Sequence, residues 1–285
     1  MAETRPTATV KPVTSVQAKK TSNAISLIAP IACLIIGYLV WRFILGNPDN
    51  FGVGKSNGGF WPDRGEPKGI ARMYLGGIIV PILIGTFLTM ITFVIERFMT
   101  ISKASGTGNN ADFIRKVQYH LANKNVDAAL AECDKQKGSV GNVMKAGLYR
   151  YKDMINNNEL STEQKVMAIQ KEVEEATSLE LPMLEKNLVF ISTIATIATL
   201  LGLLGTVMGM IRAFATLGSD SGGASSAAAL SVGISEALYN TALGIGTSAV
   251  AIVFYNIFTT KIDGITYGID ESGFTLTQTF ASLYK

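Results

Sequence analysis

Glu236, Asn240 and Thr247 fall on one stripe of a long apolar stretch near the end of the chain, with Thr241 and Ser248 beside them. An earlier apolar stretch carries Ser192, Thr199 and Thr206 at seven-residue steps, with Thr193 and Thr196 on the neighbouring stripe. A carboxylate held at bilayer depth costs several kcal/mol, so Glu236 is a functional residue by default. Hydroxyls relay a proton or hold water, but they store no charge near neutral pH. The chemistry such stripes support is passage of protons or water through a polar cavity, or contact with another polar helix. The bland alternative has Ser and Thr bonding to their own helix carbonyls. It accounts for any single Thr and fails for Glu236. Thr199, Asn240 and Thr247 are therefore expected to face the same cavity as Glu236. Arg212, near the end of the first stretch, is expected to reach an interface or to pair with Glu236 or Asp220.

These stripes need elements to hold them. Of 285 residues, 48% are hydrophobic and 16% charged, against about 25% charged in an average soluble domain. The apolar residues concentrate at 25–46, 73–98, 187–217 and 227–260. Each block approaches or exceeds the ~20 residues of a membrane-spanning helix. The fold class is therefore all-α: a membrane protein with four transmembrane helices, the last two long and extending into the cytoplasm, and a helical cytoplasmic domain. Small residues along the last two blocks, Gly202, Gly205, Gly209, Gly233, Gly244 and Gly246 among them, let helices approach closely.

Basic residues set the orientation. Residues 99–186 hold twelve Lys or Arg and 218–226 hold none. The first segment is placed in the cytoplasm and the second becomes a short periplasmic turn. It follows that residues 1–24 form a flexible cytoplasmic N-terminus, 47–72 a periplasmic loop and 261–285 a cytoplasmic C-terminus. The block 25–46 contains Pro30, ends in Trp41-Arg42-Phe43 and has no small-residue cleavage site, so it reads as a retained helix. Within 99–186, helices are expected over 113–123 with Asp112 as N-cap, over 126–133 and over 140–155. A stem capped by Ser161 or Thr162 follows, with Val166, Ile169, Val173, Ala176, Leu179 and Leu184 on its apolar side. It is expected to run straight into the third membrane helix, kinked at Pro182. Glu96 and Arg97 read as interfacial anchors.

Other chemistries find little support. The net charge of +3 is no nucleic-acid signature. Gly54-Lys55-Ser56 resembles the end of a phosphate loop, but Asp49 stands where that motif needs glycine. The Glu run of the stem has no His or Cys spaced to join it in a metal site. His120 is the only histidine, and no nucleophile–base pair can be built around it. No enzyme activity, cofactor, metal or disulfide is expected.

Leu200 to Gly209 with Met210-Ile211 and Phe214, then Gly233-Ile234-Ser235-Glu236-Ala237-Leu238 with Thr241-Ala242 and Gly244, then Tyr255-Asn256, resemble the MotA/TolQ/ExbB proton-channel family, nearest its ExbB and TolQ branch. The resemblance covers residues 73 to 265. It implies a bacterial inner-membrane protein forming a homo-pentameric ring around a dimer of an ExbD- or TolR-like partner. Protons pass by way of an aspartate on the partner's helix, and the current drives rotation. In ExbB-type motors a TonB-like protein carries the work to outer-membrane transporters. Gliding, flagellar and Tol-type envelope motors are the other outputs, and a structural membrane scaffold is the alternative of another class. By position, Thr206 and Thr241 match the pore-lining threonines and Glu236 the functional glutamate. Two features depart from the family pattern. Thr199 stands where proline is frequent, and 25–46 with its loop is an addition to the usual three helices.

Overall fold

The computed structural model describes residues 24–47, 50, 73, 74, 76–219 and 224–284. The expected N-terminal tail, most of the loop 47–72 with Gly54-Lys55-Ser56, and the centre of the turn 218–226 lie outside the described residues. Among those described there are helices and no strands. Four helices are long and apolar enough to cross a membrane, so the chain is an all-α, multi-pass membrane protein.

Helix α1 spans Ala24–Leu39 and continues as a π-helical turn over Val40–Leu45. Helix α2 spans Ile79–Ala104, starting later than the sequence predicts. The reason is local: Gly77 takes φ +78°, a left-handed conformation that glycine reaches without steric cost and that stops a helix. Tyr74 lies just before this turn. Trp41 stacks on it at 4.5 Å and donates its indole N–H to the Tyr74 carbonyl at 3.3 Å. Lower down, α1 and α2 meet backbone to backbone. A Cβ on Gly37 would lie 2.6 Å from the Gly85 nitrogen.

Four helices follow: α3 (Asn110–Ala122), α4 (Val126–Gln136), α5 (Ser139–Ile155) and α6 (Thr162–Glu185). The N-cap of α3 is Asn109, whose side chain accepts from the Ala111 amide. Asp112, the expected cap, instead sits in the first turn, where its charge complements the helix dipole. Phe113, Val117 and Leu121 are buried at four-residue steps. Ser161 and Gln164 close a reciprocal capping box on α6. Ile169, Val173 and Leu184 of the stem are buried, but Leu179 is 60% exposed and takes no part in the core.

Helices α7 (Leu188–Ser219) and α8 (Ala224–Leu283) complete the chain. At 60 residues and 1.5 Å per residue, α8 is roughly 90 Å long. Residues 261–283 are thus helix, continuing α8 beyond its apolar block. They enter the helical domain, where Ile262, Ile265, Ile269, Leu276 and Phe280 join the core with Tyr151 and Val173. Phe280 packs edge-on against Tyr151 at 4.8 Å. A Cβ on Gly147 would collide with Leu276 at 2.6 Å, so α5 can lie close against α8.

The stem does not run unbroken into α7. Helix α6 ends at Glu185, three residues after Pro182, and Asn187 adopts φ +67°. Arg97, 2% exposed, fills this joint. Its guanidinium donates to the Leu184 carbonyl at 3.1 Å and the Met183 carbonyl at 3.4 Å, groups left open at a helix C-terminus. Glu96 holds Arg97 through two hydrogen bonds of 2.7 and 2.6 Å and accepts from Asn187 Nδ2 at 3.2 Å. Expected as interfacial anchors, Glu96 and Arg97 form an internal clamp between α2, the stem and α7. Cys33 and Cys133 are both free and buried.

Candidate functional site

The small residues of α7 and α8 set the site by letting the two helices touch. A Cβ on Gly244 would come within 2.8 Å of the Gly202 Cα, one on Gly209 within 2.6 Å of the Ala237 Cβ, and one on Gly233 within 2.7 Å of the Ala213 Cβ. With side chains absent on the facing surface, van der Waals contact between backbones holds the pair.

Thr241 uses this proximity. Its hydroxyl donates across the seam to the Gly202 carbonyl of α7 at 3.0 Å. Thr206 turns the other way. It is half-buried, donates to the Leu203 carbonyl of its own helix at 2.6 Å, and borders an open apolar hollow of about 610 Å³ with Met210, Ile211 and Phe214. Glu236 is the thirteenth residue of α8 and is half-buried, next to the close contact of Ala237 with Gly209. Thr206, Thr241 and Glu236 thus all belong to the glycine-rich stretch of the α7–α8 pair.

The remaining sequence candidates separate. Asn240 and Thr247 are 1% and 3% exposed, so neither faces a cavity open to the chain's surface as the stripe predicts. The Asn240 side chain packs on Gly205, where any Cβ would overlap the Asn240 Cβ and crowd its amide. Its Nδ2 donates to the Gly76 carbonyl at 3.1 Å and its Oδ1 accepts no hydrogen bond. Asn240 therefore ties α8 to the turn ahead of α2. Thr247 donates to the Leu243 carbonyl of its own helix at 2.8 Å. Arg212 lies over Gly77, in the space that a side chain there would occupy.

Thr199 is on the outside. With Ser192, Thr196, Ser248 and Tyr255 it lines a groove of about 410 Å³ between α7 and α8. A second hollow of about 280 Å³ shares Ser192 and Tyr255 and continues toward the helical domain. Tyr255 was not singled out as a site residue by its spacing, and the stripe of Ser192 and Thr199 is the signal that locates the groove. The Glu96–Arg97–Asn187 clamp also escapes a reading of the sequence, although a buried Arg needs partners. Among the described residues no three His, Cys, Asp or Glu side chains gather as a metal site.

Residues 135–271 match the MotA/TolQ/ExbB proton channel family. The matched segment holds Thr206, Thr241, Glu236 and the whole groove, and leaves out α1 and α2. A protein of Synechocystis sp. named as an ExbB-like biopolymer transport protein is 40% identical over 86 residues, 30% of this chain. The match spans 41% of that relative's own length.

Proposed function

From the match of residues 135–271 to the MotA/TolQ/ExbB proton channel family, we propose that this chain is the ring-forming subunit of a proton-driven motor. Copies of α7 and α8 enclose an ExbD-like partner, as a pentamer around a partner dimer, in a bacterial inner membrane. The twelve basic residues of 99–186 put the helical domain and both termini in the cytoplasm. The output is energy for TonB-dependent outer-membrane transport.

The observation that carries this reading is Glu236, a carboxylate in the glycine-packed part of the α7–α8 pair. In lipid such a group is retained for an ion pathway or a specific partner. Thr206 and Thr241 bring hydroxyls but no titrating group, and the proton carrier is assigned to the partner's helix, as the family resemblance implies. Glu236 is then the polar neighbour of that carrier. One proton crossing 100 mV delivers about 2.3 kcal/mol, so work on a distant protein takes repeated steps.

The test is proton flux into vesicles holding the chain with an ExbD-type partner. Glu236→Ala and Thr241→Val are expected to abolish flux while the ring still assembles. Full flux in both variants removes these residues from the pathway.

A further inference from the structure

Tyr74, Gly76 and Gly77 precede α2 and belong to neither α1 nor α2. Their backbone is held from two sides by side chains of distant helices. Lipid supplies no donors, so backbone carbonyls outside a helix at membrane depth take them from protein. From α1, the Trp41 indole N–H reaches the Tyr74 carbonyl at 3.3 Å. From α8, Asn240 Nδ2 reaches the Gly76 carbonyl at 3.1 Å. Adjacent glycines have more backbone freedom to lose than other residues, and these two bonds, with Arg212 lying over Gly77, restrain them.

Packing follows the same line. Trp41 and Tyr74 are 2% and 6% exposed and stack with their planes 17° apart. Gly46 leaves room for the stack, since a Cβ there would lie 2.5 Å from the Tyr74 ring. With Leu45 and Val80 the two rings form a cluster, and Leu243 of α8 packs against it. Asn240 is three residues before Leu243 and four after Glu236, on the stripe of Glu236. As a packing residue Asn240 is costly. Its Oδ1 is buried and accepts no hydrogen bond among the described residues, a penalty that an apolar side chain would not carry. What Asn240 provides in return is the bond to the turn.

We propose that α1 is a positioning element for the Glu236 site. Trp41 fixes the turn, the turn fixes Asn240, and Asn240 fixes the stretch of α8 that carries Glu236. Trp41 and Asn240 are positioning residues and carry no proton. Because α1 lies outside the residues that match the family, this link joins the added helix to the matched segment. The link stands on the contacts alone, whereas its consequence for proton flux rests on the proton-path reading above.

The experiment uses the full chain with an ExbD-type partner, in vesicles for proton flux and solubilised for hydrogen–deuterium exchange read by mass spectrometry. Trp41→Phe keeps a buried ring and removes the indole N–H. Asn240→Leu keeps bulk and removes the amide. Asn240→Leu is expected to speed exchange over residues 236–243 by about fivefold, the factor that loss of one hydrogen bond allows. Trp41→Phe should speed the same segment by a smaller factor. In both variants flux should fall several-fold while ring assembly and the amount of bound partner stay unchanged. The double variant should conduct no worse than Asn240→Leu alone, because both changes break one link. Phe43→Leu, in the same π-helical turn as Trp41 but 68% exposed, is expected to alter neither exchange nor flux. Exchange over 236–243 that keeps its wild-type rate in Trp41→Phe, or flux losses that multiply in the double variant, overturns the link. Faster exchange with undiminished flux overturns the positioning role of α1. A wild-type complex that conducts no protons refutes the motor reading instead, and the exchange rates then decide the link by themselves.

Discussion

Thr206 and Thr241 have the same side chain on facing helices, and their hydroxyls do different work. Thr241 bonds the seam, whereas Thr206 bonds its own helix. Replacing Thr241 by Val removes an interhelical hydrogen bond, for which membrane proteins lose about 0.6 kcal/mol on average. Thr206→Val leaves the seam intact. Denaturation of the purified chain in detergent should therefore separate the two variants, and Thr241→Ser should restore stability by keeping the hydroxyl. Gly205 gives a sharper test, because a methyl there overlaps the Asn240 Cβ and crowds its amide. Gly205→Ala is expected to destabilise by about 1–3 kcal/mol, as overpacking does. Adding Asn240→Gly, which removes the overlapping Cβ, should return part of that loss, a coupling that a double-mutant cycle measures. Asn240 also marks how far the sequence was legible at this scale. Helical spacing places it on the stripe of Glu236. What covers that stripe locally is the turn at Gly76, far away in the chain and invisible to periodicity.

Helix positions were read well wherever apolar residues recur at helical steps, as in α3 and α5. They were misread at the ends, where single caps and left-handed residues decide. Asn109 rather than Asp112 starts α3, and the stem stops at Asn187 instead of running on. The clamp at that stop makes a prediction of its own. Arg97→Met would leave the Met183 and Leu184 carbonyls without this donor and Glu96 without its cation, held only by Asn187 and Thr100. Breaking a fully buried pair from one side costs about 3–5 kcal/mol, and the half-buried Glu96 brings the expected loss below that range. Glu96→Gln added to Arg97→Met should recover part of the loss in denaturation, because the stranded charge is then gone. The helical domain carries a different signal, in its response to pH. Burial pushes the Cys133 thiol up from 9.0 to about 12 and raises the Tyr151 phenol above its ordinary value. Between the unfolded and folded thiol values, the unfolded chain has released a proton that the folded chain keeps. Stability therefore falls as pH rises from 9.0 toward about 12. Melting followed by circular dichroism should show the drop beginning above about pH 9, with a flatter slope in Cys133→Ala/Tyr151→Phe.

At the scale of the molecule, the chain joins two constructions. Helices α5, α6 and α7 with most of α8 fall within the family match, and α1, α2 and α3 with nearly all of α4 fall outside it. Apolar length alone announces α1, but length does not say where it packs. Gly37 and Gly85 decide that by bringing α1 and α2 into backbone contact, the arrangement small residues permit in lipid. At the same crossing the Cys33 sulfur lies 3.6 Å from the Thr92 hydroxyl. Thr92→Cys would thus set a second thiol against the first, and mild oxidation of the full chain should join α1 to α2 and protect both thiols from maleimide. Gly37→Leu in the same background would drive a side chain into the Gly85 backbone, so the crosslink should be lost. The α7–α8 seam does not contain Gly37, and its Thr241–Gly202 hydrogen bond should keep the stability difference between Thr241 and Thr241→Val unchanged. A crosslink that survives Gly37→Leu would mean that the glycine contact is not what docks α1. Loss of the Thr241 effect along with the crosslink would mean that the added helix and the seam are one cooperative unit.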